Sequence, residues 1–158
     1  MGLTVRKGCI RFQYNSPVDL TFALLALGTL LLQKLSGGWT TMKFFSVYRS
    51  SLADFWTYPR FVLHVLGHTG YSHYIGNMMM ILVVGPPLEE KYGSRSLLLA
   101  IFLTALISGM VQWLFFPGTA LLGASGIVFM MIVMSSLSGM KEGCIPITLI
   151  LVLMLYVG

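Results

Sequence analysis

The sequence predicts an all-α fold, a polytopic bundle of transmembrane helices without a soluble domain of useful size. Three observations carry this. Of 158 residues, 56% are hydrophobic and only 9% are charged, where soluble domains carry roughly 25% charged residues. Mean hydropathy is +0.84. Apolar runs of near-spanning length recur, separated by short polar, Gly- or Pro-containing segments. The net charge of +5 reads as a topology signal of Lys and Arg around membrane spans; nucleic acid is not an expected partner. Cys9 and Cys144 form neither a disulfide framework nor a metal-ligand spacing. The N-terminus lacks the small-residue cleavage site of a secretory signal, and Arg6 stands where a myristoylation signal needs Ser or Thr.

The first span is expected over residues 18–35, opened by Asn15-Ser16-Pro17 and closed by Gln33-Lys34. Residues 1–17 precede it as a cytoplasmic segment. Residues 36–60 form a long loop whose mixture of Trp, Tyr, Phe and basic residues suits a bilayer interface. The second span covers residues 73–88 and is closed by Pro86-Pro87 and Glu89-Glu90-Lys91. Gly93 then reads as a helix stop and Ser94 as an N-cap. The third span covers residues 96–116 and ends at Pro117-Gly118, and the fourth covers 125–138. A polar turn over 139–143 leads to a fifth that begins at Ile145-Pro146. Arg6, Lys7, Arg11, Lys91, Arg95 and Lys141 fall on one side; Lys34, Lys43, Arg49 and Arg60 belong to the long loop and its entry. This slight bias makes the N-terminus cytoplasmic.

Two lengths stand out. The fourth span has about 15 residues, or roughly 22 Å of helix, against a hydrocarbon core about 30 Å thick. With its Lys141 end at one face, its Ser125 end stops inside the membrane. The segment before it must dip into the protein, where irregular backbone is tolerated only if buried or lining a water-filled cavity. The last apolar run, "IPITLILVLMLYVG", has about 14 residues where a span needs roughly 20. It reads as an incomplete fifth span, so the chain reads as a fragment.

All three histidines, His64, His68 and His73, lie in "LHVLGHTGYSHYIGN", with Asn77 four residues beyond the last. Such groups are costly in a span and face the bundle interior. They suit interhelical hydrogen bonding or a functional site. His64 and His68 also have helical metal-ligand spacing, but Asp54, Glu89 and Glu90 lie outside this window. Gly123-Ala124-Ser125-Gly126 places a hydroxyl where a helix opens. Free N–H groups there can stabilise an oxyanion, and the glycines let a peptide approach. Ala105 and Gly109 are instead read as a small-residue surface for close helix packing.

These motifs resemble the rhomboid intramembrane serine proteases of bacterial type. The family pattern His-x-x-x-His-x-x-x-x-His-x-x-x-Asn falls on His64, His68, His73 and Asn77, and its Gly-x-Ser-Gly falls on Gly123 to Gly126. "EEKYGS" resembles the family's Glu-x-x-x-Gly-Ser, with the acid at Glu89. The family's Trp-Arg of the first loop is absent, since Arg60 follows Pro59 and the nearest Trp is Trp56.

The resemblance implies a rhomboid-type bundle over residues 18–158 in a bacterial plasma membrane. It holds four complete spans and a partial fifth, without a sixth. Ser125 would be the nucleophile of a Ser-His dyad. His73, Asn77 and the Ser125 amide would form the oxyanion hole. His64 and His68 would be structural or hydrating residues, and Gly123 and Gly126 would shape the site. The family's base is a histidine on the sixth span, which has no counterpart in these residues, so the 158-residue chain is expected to be inactive. His73 cannot easily donate to the oxyanion and deprotonate the serine in one step. Substrates would be transmembrane proteins met within the lipid bilayer, with no metal and no cofactor. Nothing in the sequence specifies an oligomeric state. Two other readings remain: a rhomboid-like pseudoprotease that binds membrane clients, and a transporter fragment with an ion path through the histidines and Asn77.

Overall fold

The computed structural model describes residues 16–138 and, beyond them, Ile147, Ile150, Leu151 and Met154. Its helices are α1 (Pro17–Leu35), α2 (Trp39–Phe44), α3 (Thr57–Leu63), α4 (Tyr71–Tyr92), α5 (Ser94–Phe115) and α6 (Ser125–Ser138), with a 3-10 turn at His64–Leu66. Among the described residues there is no strand, only an isolated antiparallel bridge between Val47 and Leu121.

α1 starts where a proline can occupy the first turn without losing a hydrogen bond. It and α5 are each long and apolar enough to cross a membrane. α4 has 22 residues, enough for about 33 Å, but carries His73, Asn77 and Glu89 along its length. It is the spine of the bundle and packs against α1, α5 and α6. Ala26, Ile81, Leu97, Ala105 and Ile127 are fully buried around it. Leu98, Phe102, Ile107 and Leu114 of α5 point outward and are exposed, a surface suited to lipid.

The expected bounds of α1 and α5 and the expected start of α6 agree with these helices, but several finer expectations do not. The loop expected over 36–60 contains α2 and the start of α3. Pro86-Pro87 do not close α4, which runs on to Tyr92 and stops at Gly93, φ +80°. Each proline removes one backbone bond, but the final turn is docked on α1. Ser94 is the first helical residue of α5 rather than its N-cap; Gly93 holds that place. Gly109 does serve close packing, but its neighbour is the backbone of α3: a Cβ there would lie 2.5 Å from the Phe61 carbonyl oxygen. The expected turn over 139–143, the start of the fifth span, Cys9 and Cys144 lie outside the described residues.

The docking of α4 on α1 is polar. Glu89 is 4% exposed. Its carboxylate accepts from the Val18 amide at 3.1 Å, the Asp19 amide at 3.4 Å, the Ser16 hydroxyl at 2.7 Å and the Ser94 hydroxyl at 2.6 Å. It therefore caps the free N–H groups of α1 and restrains the start of α5. Asp19 lies directly against Gly85, where any Cβ would strike its carboxyl group. Lys91 Nζ donates to the Ser138 carbonyl at 2.8 Å and so ties α4 to α6. The start of α1, the end of α4, the start of α5 and Ser138 of α6 thus share one end of the bundle. Ser125 opens α6 at the other.

Replacing Glu89 by Ala strands several buried donors, each worth roughly 1–3 kcal/mol when left unsatisfied. Thermal unfolding in detergent is expected to show Glu89→Ala strongly destabilised, with exposed Glu90→Ala nearly unchanged; equal melting of the two variants would refute the capping role.

Candidate functional site

The segment between α1 and α4 frames the Ser125 end. Its helices α2 and α3 are short, and side chains satisfy much of the backbone between them. Arg60 is 4% exposed. Its Nε donates to the Lys43 carbonyl at 2.7 Å, its Nη1 pairs with Asp54 at 3.1 Å, and its guanidinium lies 4.7 Å from the Tyr48 ring centre. Arg49 Nη1 donates to the carbonyls of Trp113 and Leu114 at the end of α5. From α1, Thr29 Oγ1 donates to the Leu66 carbonyl at 2.5 Å, and Gln33 Nε2 to the Thr69 carbonyl at 3.1 Å.

His64 and His68 do not share a helix. The 3-10 turn ends at Leu66, and Gly67 is extended, which removes the helical ligand spacing. Gly67 is needed there because a Cβ would overlap the Phe45 carbonyl. His64 Nδ1 lies 3.2 Å from the Arg60 carbonyl and His68 Nδ1 lies 3.1 Å from the Leu66 carbonyl. A carbonyl only accepts, so both Nδ1 atoms carry the proton. His64 Nε2 then faces the Ser108 hydroxyl at 3.3 Å, while His68 Nε2 is buried without a partner. Both rings lie outside the spanning helices. Burial pushes their pKa values down, that of His64 to about 4. Both are therefore neutral at pH 7.

His73 and Asn77 do share a face of α4. Asn77 Nδ2 donates to the His73 carbonyl at 3.0 Å, which spends one of its two amide protons. The His73 ring stands edge-to-face to His68, with centres 5.0 Å apart. Its Nδ1 is 3.2 Å from the Thr69 hydroxyl.

The segment before α6 meets this group directly. Thr119 is held by Gln112 Nε2 at 2.9 Å, and Leu121 pairs with Val47. The Gly123 amide donates to the His64 carbonyl at 2.9 Å. Gly123 has φ +116°, and a Cβ there would lie 2.6 Å from His73 Cε1 and 2.7 Å from Nε2. Only glycine allows both this backbone and this approach. Ala124 is fully buried, and its carbonyl accepts the first helical bond of α6, from Val128. Ser125 is therefore the first helical residue, exposed, at a ring of amides without intrahelical partners. Among the described residues no hydrogen bond ties its hydroxyl to His73 or Asn77. A Cβ at Gly126 would meet open space.

The tertiary structure thus joins the two sequence motifs through Gly123, which touches His64 by hydrogen bond and His73 by contact. An exposed hydroxyl at a helix N-terminus, two residues from an imidazole edge, can attack a carbonyl and have the resulting charge met by N–H donors. Arg60, Thr69, Ser108 and Gln112 were not singled out as supports. The signal for Arg60 was a basic residue amid aromatics. Thr69 stands four residues before His73, which a reading of local side-chain pairs can find.

Residues 54–157 match the Rhomboid domain family. The chain is 27% identical over 132 residues to rhomboid protease GlpG of Pectobacterium atrosepticum, covering 82% of the chain and 46% of that protein. It is 32% identical over 123 residues to rhomboid protease GluP of Bacillus subtilis, covering 75% of the chain and 24% of that protein. It is also 34% identical over 70 residues to mouse rhomboid-related protein 2, covering 44% and 23%. The chain spans less than half the length of each of these relatives.

Gly123→Ala is expected to displace His73 and to cost about 1–3 kcal/mol through backbone strain alone, while Gly126→Ala leaves the fold intact. Unfolding midpoints and the histidine ring NMR signals check this; an unmoved His73 signal in Gly123→Ala would contradict the contact.

Proposed function

The chain belongs to the rhomboid family, an integral membrane family, and on that premise we propose that it forms part of an intramembrane serine endopeptidase that cleaves transmembrane segments. The observation that carries the reading is the seating of Gly123 against His64 and His73, which sets Ser125 at the opening of α6. A substrate segment unwinds locally and offers a peptide carbonyl. Ser125 Oγ attacks the carbonyl carbon as a base takes its proton, and the carbonyl oxygen becomes the oxyanion. His73 Nε2–H, the free amide proton of Asn77 and the Ser125 N–H meet that charge. Collapse expels the amine, which takes the proton, and water then releases the acyl group by the same steps. No metal or cofactor enters this chemistry.

Resemblance to the family implies that the base is a histidine on a sixth span rather than His64, His68 or His73. The N-terminus of α1 lies on the cytoplasmic side with Lys91 and Arg95, and Ser125 opens toward the opposite side.

In the full-length protein, Ser125→Ala is expected to abolish cleavage of a model transmembrane substrate; undiminished cleavage would remove the nucleophile assignment. His73→Ala or Asn77→Ala is expected to lower kcat roughly 10²- to 10³-fold, the usual loss for one oxyanion donor, with little change in KM. A loss confined to KM would take them out of that role.

A further inference from the structure

We propose that Thr69 is a positioning residue for His73, its hydroxyl donating to Nδ1 and so holding the imidazole proton on Nε2. The ring is fixed on three sides. His68 stands edge-to-face against it at 5.0 Å. Its Cε1–Nε2 edge is pressed on Gly123. Its remaining nitrogen, Nδ1, lies 3.2 Å from Thr69 Oγ1. With the Nε2 edge aimed at the Gly123–Ser125 turn, the choice of tautomer decides what the ring can do there. A proton on Nε2 makes it a donor to developing negative charge. A proton on Nδ1 would put a lone pair on that edge, making it a competing base and repelling an oxyanion.

The Thr69 hydroxyl can accept from an Nδ1–H or donate to a bare Nδ1, and donation is the direction that goes with an Nε2–H on the Gly123 edge. Thr69 is not free to drift. Its carbonyl is held by Gln33 Nε2 from α1 at 3.1 Å. Gly70, the next residue, is the extended N-cap of α4. On the other side of the ring, the His73 carbonyl is held by Asn77. The chain Gln33–Thr69–His73 therefore links the end of α1 to the tautomer of a ring on α4. Valine is nearly isosteric with threonine but cannot donate, whereas serine keeps the hydroxyl.

The functional part of this inference rests on the oxyanion role proposed for His73; the tautomer itself does not. Histidine-¹⁵N NMR of the 158-residue chain in lipid nanodiscs, with His73 assigned by its loss in His73→Asn, is expected to show the proton on Nε2 and a hydrogen-bonded Nδ1. Thr69→Val is expected to shift the Nδ1 signal to its unbonded position and to populate the Nδ1–H form; Thr69→Ser restores the original spectrum. In the full-length protein Thr69→Val is expected to lower kcat about two- to tenfold, the range of one neutral hydrogen bond, at unchanged KM, with rescue by Thr69→Ser. A proton on Nδ1 in the unmodified chain, or His73 signals indifferent to Thr69→Val, overturns the proposal. Cleavage that survives Ser125→Ala while the tautomer responds to Thr69 overturns the protease reading instead.

Discussion

The hydrogen bond from the Gly123 amide to the His64 carbonyl, 2.9 Å long, is the contact on which the Ser125 end of the bundle depends. It joins the irregular backbone before α6 to the 3-10 turn that follows α3. In a bilayer the Gly123 amide could not be left unpaired, since each unsatisfied group there costs several kcal/mol. The His64 carbonyl, which also accepts the Gly67 amide at 3.1 Å, supplies its partner. The bridge between Val47 and Leu121 extends the same arrangement to a third segment. Once these bonds form, Ala124 is buried and Ser125 has one place to go.

The opposite end obeys the same constraint with different chemistry. There Glu89 collects amide and hydroxyl donors from α1 and α5, and Lys91 donates to the Ser138 carbonyl of α6. These bonds set the axial positions of the helices relative to α4. Axial position matters for the site because Ser125 is the first residue of α6 and moves with it. A slip of one turn, about 5.4 Å, would carry Ser125 away from His73. The charged end and the site are thus coupled through the rigid body of α4.

The main helices were legible because apolar length and terminal Pro or Gly are local signals. The start of α6 and the helix stop at Gly93 follow directly from them. The polar residues were legible for a related reason: His73, Asn77 and Ser125 stand out because apolar surroundings make them costly. What misled was local punctuation under tertiary override. Pro86-Pro87 carry a strong stop signal, yet Glu89 beyond them is held by α1, and the helix persists through them. The spacing of His64 and His68 suggested one helix, but Gly67 turns extended to pass under Phe45. Residues 36–60 lack a long apolar run, so their short helices, ordered around buried Arg60, left little trace in the pattern.

By itself the sequence determined the helical class, the main helix bounds and the identity of the chemically costly residues. Each follows from one-dimensional facts: the periodicity and length of apolar runs, and the penalty for a polar side chain within them. Only the tertiary structure decided which of those residues meet. Gly123 lies 50 residues from His73 along the chain, yet a single added carbon on it would collide with the ring. Such a contact depends on how three helices sit against one another. That arrangement is set by the summed burial of their faces and by a few buried hydrogen bonds between residues far apart in sequence.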